Sequence, residues 1–255
     1  MNVIFENDDF LVVDKPSGLT VNKSETSKEK TLQEQLSKYF KLETGDLGIG
    51  GRAGIVHRLD RETSGLLVIA KTQKCFEFLQ SEFKERRVEK EYIALVHGKV
   101  TEEAGIISGD LGRVGKFGKF GIVHGGREAS TEFSVINFFQ KDKNWIDSTL
   151  TEAGVSLSRP RINYLKTNAL NYSQLKLKPK TGRTHQIRVH LKSIGHPVVS
   201  DLIYAPSKLI KFDLLWCPRL FLHSARLCFS GPKSKKNFNF KSDLPNDLKR
   251  VILSL

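Results

Sequence analysis

Apolar residues open this chain in two short bursts. Val3 to Phe5 and Phe10 to Asp14 are β-prone runs separated by the turn-like Glu6-Asn7-Asp8-Asp9, which predicts a hairpin; Lys15-Pro16-Ser17-Gly18 then breaks the chain. Over residues 28 to 40 the period changes, with Leu32, Leu36 and Tyr39 at helical spacing. Leu66 to Lys71 reads as a buried strand. Thr72 is placed to cap a following helix whose Phe76, Leu79 and Phe83 lie on one face. Tyr92 to Val96 predicts a strand with Tyr92, Ala94 and Val96 on one side, and Ser173 to Leu177 predicts another. After the turn Lys180-Thr181-Gly182-Arg183, a helix is expected from Thr184 to Ile194, stopped by Gly195 with Pro197 beyond. Ile187, Leu191 and Ile194 form its core stripe, and Arg188 and Lys192 stack on another face.

Between these elements, Gly45, Gly48, Gly50, Gly51 and Gly54 predict a mobile loop leading into His57. Residues 141 to 172 are polar and weakly periodic, and read as a local insertion. No repeat of 20 to 50 residues and no Pro/Gly/Ser-rich linker divides the chain. A length of 255 residues suffices for one domain or for two subdomains. The economical reading is a single mixed α+β catalytic domain over residues 1–255, with strands outnumbering helices.

Composition narrows the partners. Hydrophobic residues at 39% and charged residues at 27% describe an ordinary globule, but 41 Lys plus Arg face 28 Asp plus Glu, a formal charge of +13. Such an excess is self-repelling unless a polyanion uses it, and nucleic acid is the leading candidate. A membrane is disfavoured, since no apolar run approaches the roughly 18 residues needed to span and no basic amphipathic helix stands out. Cys75, Cys217 and Cys228 are widely spaced with no Cys-x-x-Cys pair, which argues against a disulfide framework or a zinc knuckle and points to buried core thiols in a reducing cytosol. The N-terminal residues lack the basic and apolar regions of a signal peptide. A cytoplasmic monomer is expected.

The run His57-Arg58-Leu59-Asp60-Arg61-Glu62-Thr63-Ser64-Gly65 places one short carboxylate among three basic side chains at a strand entrance. Nearby positive charge favours the ionised form of an aspartate, which leaves it available as nucleophile or base. Other chemistries fit less well. His185 and His190 are five apart, about 140° around a helix, so they form no metal pair on one face. Gly48 to Ala53 matches a dinucleotide fingerprint only superficially, because no clear strand precedes it and no helix follows. Gly-Lys-Ser/Thr, Asp-Thr/Ser-Gly and Gly-x-Ser-x-Gly signatures are absent from the sequence.

Three longer segments, "VHRLDRETSGLLVIAK" at 56 to 71, "EKEYIALVHG" at 89 to 98 and "LKPKTGRTHQIRVHLKSIGHPVVSD" at 177 to 201, occur in an order and spacing that resemble the RluA family of RNA pseudouridine synthases. The opening "FENDDFLVVDKPSGL" resembles that family's first hairpin, so the likeness spans most of residues 3 to 230. It implies a bent, mixed but mostly antiparallel sheet in two halves with flanking helices and a central cleft. It also implies a cofactor-independent isomerase that flips a uridine of ribosomal or transfer RNA out of its stack and rebonds the sugar from ring nitrogen to carbon 5. By the same resemblance Asp60 is the essential catalytic residue, in contact with Arg188, the second arginine of "GRTHQIR". The aspartate attacks the anomeric carbon or carbon 6, or removes the 2′ proton; these alternatives stay open. Tyr92 aligns with a tyrosine that packs on the uracil, and Arg58 with an arginine that fills the space the flipped base leaves. Arg61, Arg183 and Lys192 are candidate phosphate contacts.

One departure concerns Ser200, which precedes Asp201 where the family commonly has glycine, and so bears on the local turn. The segment 141–172 is longer than the family's corresponding connection. No separate N-terminal RNA-binding module is expected, since the hairpin begins at Val3. Two rivals remain: a catalytically idle RNA-binding protein on the same scaffold, against which the intact Asp60, Tyr92 and Arg188 set argues, and a methyltransferase, for which no cofactor loop is convincing.

Overall fold

A computed structural model describes residues 1–23, 30–41, 52–115, 118–232 and 237–255. Most of the glycine-rich loop expected before His57 lies outside the described residues. The chain divides into two compact units, Met1–Glu91 with His223–Asp243, and Tyr92–Leu222 with Leu244–Leu255.

The first unit starts with β1 (Asn2–Glu6) and β2 (Phe10–Lys15), an antiparallel hairpin whose turn is held by the Asn7 carboxamide accepting from the amides of Asp9 and Phe10. α1 (Leu32–Phe40) follows, entered through a capping box in which Thr31 and Glu34 each bond the other's backbone amide. Leu32 and Leu36 are buried as the period predicts, but Tyr39 is 48% exposed and donates to Glu6 at 2.7 Å. β3 (Ser64–Ala70) is buried at every position, and α2 (Gln73–Lys84) begins at the Thr72 cap as expected. Phe76 and Leu79 pack under β2 and β3 together with Phe10, Val12, Leu66 and Val68. Fully burying a side chain of this size contributes about 1.5–3 kcal/mol, which makes this layer the unit's main source of stability.

The second unit is entered along β4 (Glu89–His97), followed by β5 (Ala104–Arg113), β6 (Phe120–Ile122) and the long β7 (Arg127–Gln140). Next come α3 (Lys143–Glu152), α4 (Arg159–Asn168), β8 (Asn171–Pro179), α5 (Gln186–Ser193) and α6 (Ser207–Trp216). β9 (Leu222–Ser230) and β10 (Asn237–Lys241) return the chain to the first unit, and α7 (Asn246–Ser254) ends it in the second. The first unit's strands pair in the order β1, β2, β3, β9, β10, where β3 and β9 run parallel and the rest antiparallel. The second unit's strands pair antiparallel in the order β4, β8, β7, β5, β6. The mixed, mostly antiparallel α+β architecture in two halves is therefore as expected, with ten strands and seven helices among the described residues.

One local expectation gains structure and another needs correcting. Residues 141–172, expected as a local insertion, contain α3 and α4, whose Ile146, Leu150 and Leu165 close a core with Leu209 and Phe212 of α6. The helix expected from Thr184 begins at Gln186, because His185 adopts a left-handed backbone at φ 55°, and Ile194 is the exposed C-cap of that helix, outside the core stripe.

Candidate active site

In the first unit, Asp60 and Arg61 open one turn ahead of β3 and Arg58 lies just before it, with Asp60 half-buried and both arginines exposed. The turn closes by a bond from the Thr63 amide to the Asp60 carbonyl at 3.2 Å. It is clamped from outside by a residue the sequence reading passed over. Lys15, 1% exposed at the end of β2, directs its ammonium to the carbonyls of Pro16, Leu19 and Arg61 at 2.9, 2.9 and 3.0 Å. The Gly18 amide adds a bond to the Arg61 carbonyl at 2.8 Å, and Ser17 donates to the Glu62 carbonyl at 2.6 Å. Hydrogen bonds to a charged donor contribute about 1.5–3 kcal/mol, so the ammonium is the strongest element of the clamp. Gly65 at the head of β3 has φ +116°, and a Cβ there would lie 2.3 Å from the Ser224 carbonyl oxygen, so only glycine lets β3 approach β9 at this point.

His57 departs from its expected role as a third cation. Its Nε2 accepts the Val68 amide at 3.0 Å, which requires that nitrogen to be unprotonated, and its ring stacks on Phe83 at 4.4 Å. Burial, reinforced by the Lys90 ammonium, pushes its pKa down to about 3. The cations near Asp60 along the chain are Arg58 and Arg61, with Arg61 Nε also bonded to the Gly18 carbonyl at 3.3 Å.

In the second unit, Tyr92 is buried on β4 opposite Leu177 of β8. The "TGRTHQ" turn that follows β8 is organised by Gln186. Its carboxamide oxygen accepts from Thr181 at 2.6 Å and from the Arg183 amide at 3.0 Å, and its nitrogen donates to the Ser130 carbonyl and the Thr131 hydroxyl, both at 3.0 Å. Arg183 is half-buried and donates from Nε to the Glu128 carbonyl at 3.2 Å.

Arg188 and Lys192 are one turn apart on α5, yet Arg188 is 2% exposed while Lys192 faces solvent. A buried guanidinium demands a counter-charge, and Asp201 supplies one. Arg188 Nε and Nη2 donate to the two Asp201 carboxylate oxygens at 2.8 and 2.7 Å, a bidentate pair. Asp201 also accepts the amides of Ile203 and Tyr204 at 3.0 and 3.1 Å. The Arg188 guanidinium lies 5.0 Å from the Tyr204 ring centroid, and the Lys192 ammonium 5.8 Å from the same centroid. The sequence signal for Asp201 was a lone acid inside the otherwise apolar or small-residue run Pro197 to Tyr204; Tyr204 carried none of its own.

Ser200 keeps the turn that glycine would make. It holds φ 58°, its amide donates to Asp213 at 3.2 Å, and its hydroxyl donates to the Cys217 carbonyl at 2.6 Å. These bonds offset the cost of a left-handed conformation in a residue with a Cβ. Cys75 and Cys217 are buried, as expected for core thiols, while Cys228 is half-buried. Among the described residues no group of three or more His, Cys, Asp or Glu side chains is placed to hold a metal ion, and no helix is long and apolar enough to cross a membrane.

Residues 9–193 match the family model described as RNA pseudouridylate synthase. The chain belongs to that family. Its members are isomerases that act on RNA, and the resemblance read from the three motifs holds across more than half of the sequence. Among curated relatives, an uncharacterized RNA pseudouridine synthase of Bacillus subtilis is 33% identical over 258 residues, covering 100% of this chain and 73% of that protein. The ribosomal large subunit pseudouridine synthase D of Nitrosomonas europaea is 32% identical, covering 100% of this chain and 65% of that one. Among solved structures, human RNA pseudouridylate synthase domain containing 1 superposes with a TM-score of 0.68 at 27% identity, covering 96% of this chain and 83% of that chain.

Proposed function

We propose that this protein converts a uridine of ribosomal or transfer RNA to pseudouridine, with Asp60 as its catalytic carboxylate and Tyr92 and Arg188 as the groups that serve the same uridine. The reaction breaks the bond from sugar to ring nitrogen 1, turns the base and bonds the sugar to carbon 5. The carbon 5 proton leaves to solvent and nitrogen 1 gains one, so no cofactor or redox partner is needed. Support for Asp60 comes chiefly from the Lys15 clamp, which commits a buried ammonium to holding the turn that begins at this acid.

Arg58 is assigned to the gap left by the flipped base, since a planar guanidinium stacks on bases where lysine would not. Arg61, Arg183 and Lys192 are assigned to phosphates. A ribosomal target is favoured over a transfer RNA by the name of the Nitrosomonas relative, a ribosomal large subunit pseudouridine synthase. We further propose action in the cytoplasm as a monomeric single catalytic domain, with residues 141–172 as an addition that helps select the RNA. The chain spans 73% of the Bacillus subtilis relative's length and 65% of the Nitrosomonas europaea relative's, so target choice is proposed for the residues present.

The test is incubation with RNA tritiated at uridine carbon 5. Wild type should release tritium, and Asp60→Asn should abolish release while keeping the same melting curve and RNA affinity. Binding without release in the wild type would favour the idle RNA-binding scaffold.

A further inference from the structure

Tyr204 is 4% exposed, and its ring and hydroxyl are engaged by different parts of the second unit. The ring faces the Arg188 guanidinium, with 5.0 Å to the centroid. Asp201 grips that guanidinium along one edge through Nε and Nη2, which fixes its in-plane position but not its tilt about the line joining the two groups. An aromatic face beside the cation resists that tilt and attracts the charge. The Tyr204 amide donates to the same Asp201 carboxylate at 3.1 Å, so ring and carboxylate are presented by one short turn and move together.

The hydroxyl does something else. It accepts the Phe120 amide of β6 at 3.0 Å and lies 2.7 Å from His185 Nδ1. Having accepted one bond, it has its own proton to give to Nδ1 of a neutral imidazole, which sets that ring's proton on Nε2. His185 is the left-handed residue from which α5 starts, and its carbonyl takes the Val189 amide at 2.9 Å. One oxygen thus ties the start of the helix that carries Arg188 to the tip of the β5–β6 hairpin, where Arg113 and Lys119 are exposed.

We propose that Tyr204 is a positioning residue of the isomerisation: its ring sets the plane of Arg188, and its hydroxyl joins the β5–β6 hairpin and His185 to that same helix. This rests on the assignment of Arg188 to the catalytic site.

The two parts separate by substitution. Tyr204→Leu removes ring and hydroxyl; Tyr204→Phe removes only the hydroxyl. With RNA tritiated at uridine carbon 5, Tyr204→Leu should lower kcat by about tenfold or more with KM within about twofold, and Tyr204→Phe should restore kcat to within about threefold of wild type. In Tyr204→Phe the Phe120 amide should exchange with deuterium about tenfold faster, and the His185 ring nitrogens should shift in their NMR spectrum. Tyr204→Met, which fills similar space without an aromatic face, takes the place of the leucine variant if that one does not fold. A folded leucine or methionine variant with wild-type kcat overturns the role of the ring, as does a phenylalanine variant as slow as either. Unchanged exchange at Phe120 overturns the role of the hydroxyl. A wild type that releases no tritium instead overturns the functional reading, and with it any part for Tyr204 in the reaction.

Discussion

Asp201→Asn is nearly isosteric and removes one charge from a fully buried ion pair. Asp201 accepts four bonds: two from Arg188 at 2.8 and 2.7 Å, and two from the amides of Ile203 and Tyr204 at 3.0 and 3.1 Å. A carboxamide oxygen turned toward Oδ1's partners retains the backbone bonds, but its nitrogen then faces Arg188 Nε, donor against donor. Breaking a buried pair by altering one partner costs about 3–5 kcal/mol; the surviving backbone bonds put this case near 3. In a chain of this size each kcal/mol moves the melting point by about 2–4 °C, so a fall of roughly 6–12 °C is expected. Both tryptophans, Trp145 and Trp216, are partly buried against a core of the second unit, the unit that holds Asp201, so urea unfolding followed by tryptophan fluorescence reports on the right part of the molecule. Adding Arg188→Met should recover stability relative to Asp201→Asn alone, because an apolar replacement of both partners removes the stranded charge. A loss below about 1 kcal/mol, or a double variant less stable than the single one, would refute this account of Asp201.

The remaining expectations concern the first unit and the thiols. His57 has a folded-state pKa of about 3 against 6.5 unperturbed, so between those values the unfolded state binds one more proton. Its contribution is then lost as pH falls from 6.5 toward 3, at about 1.4 kcal/mol per pH unit. His57→Gln should flatten the pH dependence of urea stability in that window by about one proton; an unchanged slope would contradict the neutral assignment. Lys15→Met leaves three carbonyls without their cationic donor and should cost at least about 3 kcal/mol, together with most tritium release, as read by urea unfolding and the RNA assay. Burial pushes the Cys217 thiol up to about 12, and Cys75 is also buried, so iodoacetamide at pH 8 should label Cys228 first, as located by mass spectrometry. Native labelling of Cys217 ahead of Cys228 would show that its surroundings open.

What could be read without coordinates was whatever depends on neighbours a few residues away. The β1–β2 hairpin, β3, the Thr72 cap with α2, β4 and β8 all followed from local period and turn chemistry. The family was legible because the likeness is concentrated in three short motifs, which contain Asp60, Tyr92 and Arg188. α3 and α4 were not legible, since their apolar faces are short and find their partner in α6, some forty residues or more farther along the chain. Tyr39 and Ile194 carry helical spacing but lie at the last turn or the cap, where the helix leaves the core.

The sequence by itself determined the elements whose period is local, the family and the acid ahead of β3. Only the tertiary structure decided the ionisation of His57, the burial of Lys15 and the pairing of Arg188 with Asp201. The physical reason is separation: Lys15 meets the Arg61 carbonyl across 46 residues and Tyr204 meets the Phe120 amide across 84. A charge's state is set by whatever surrounds it in space, and pattern along a chain carries no record of that.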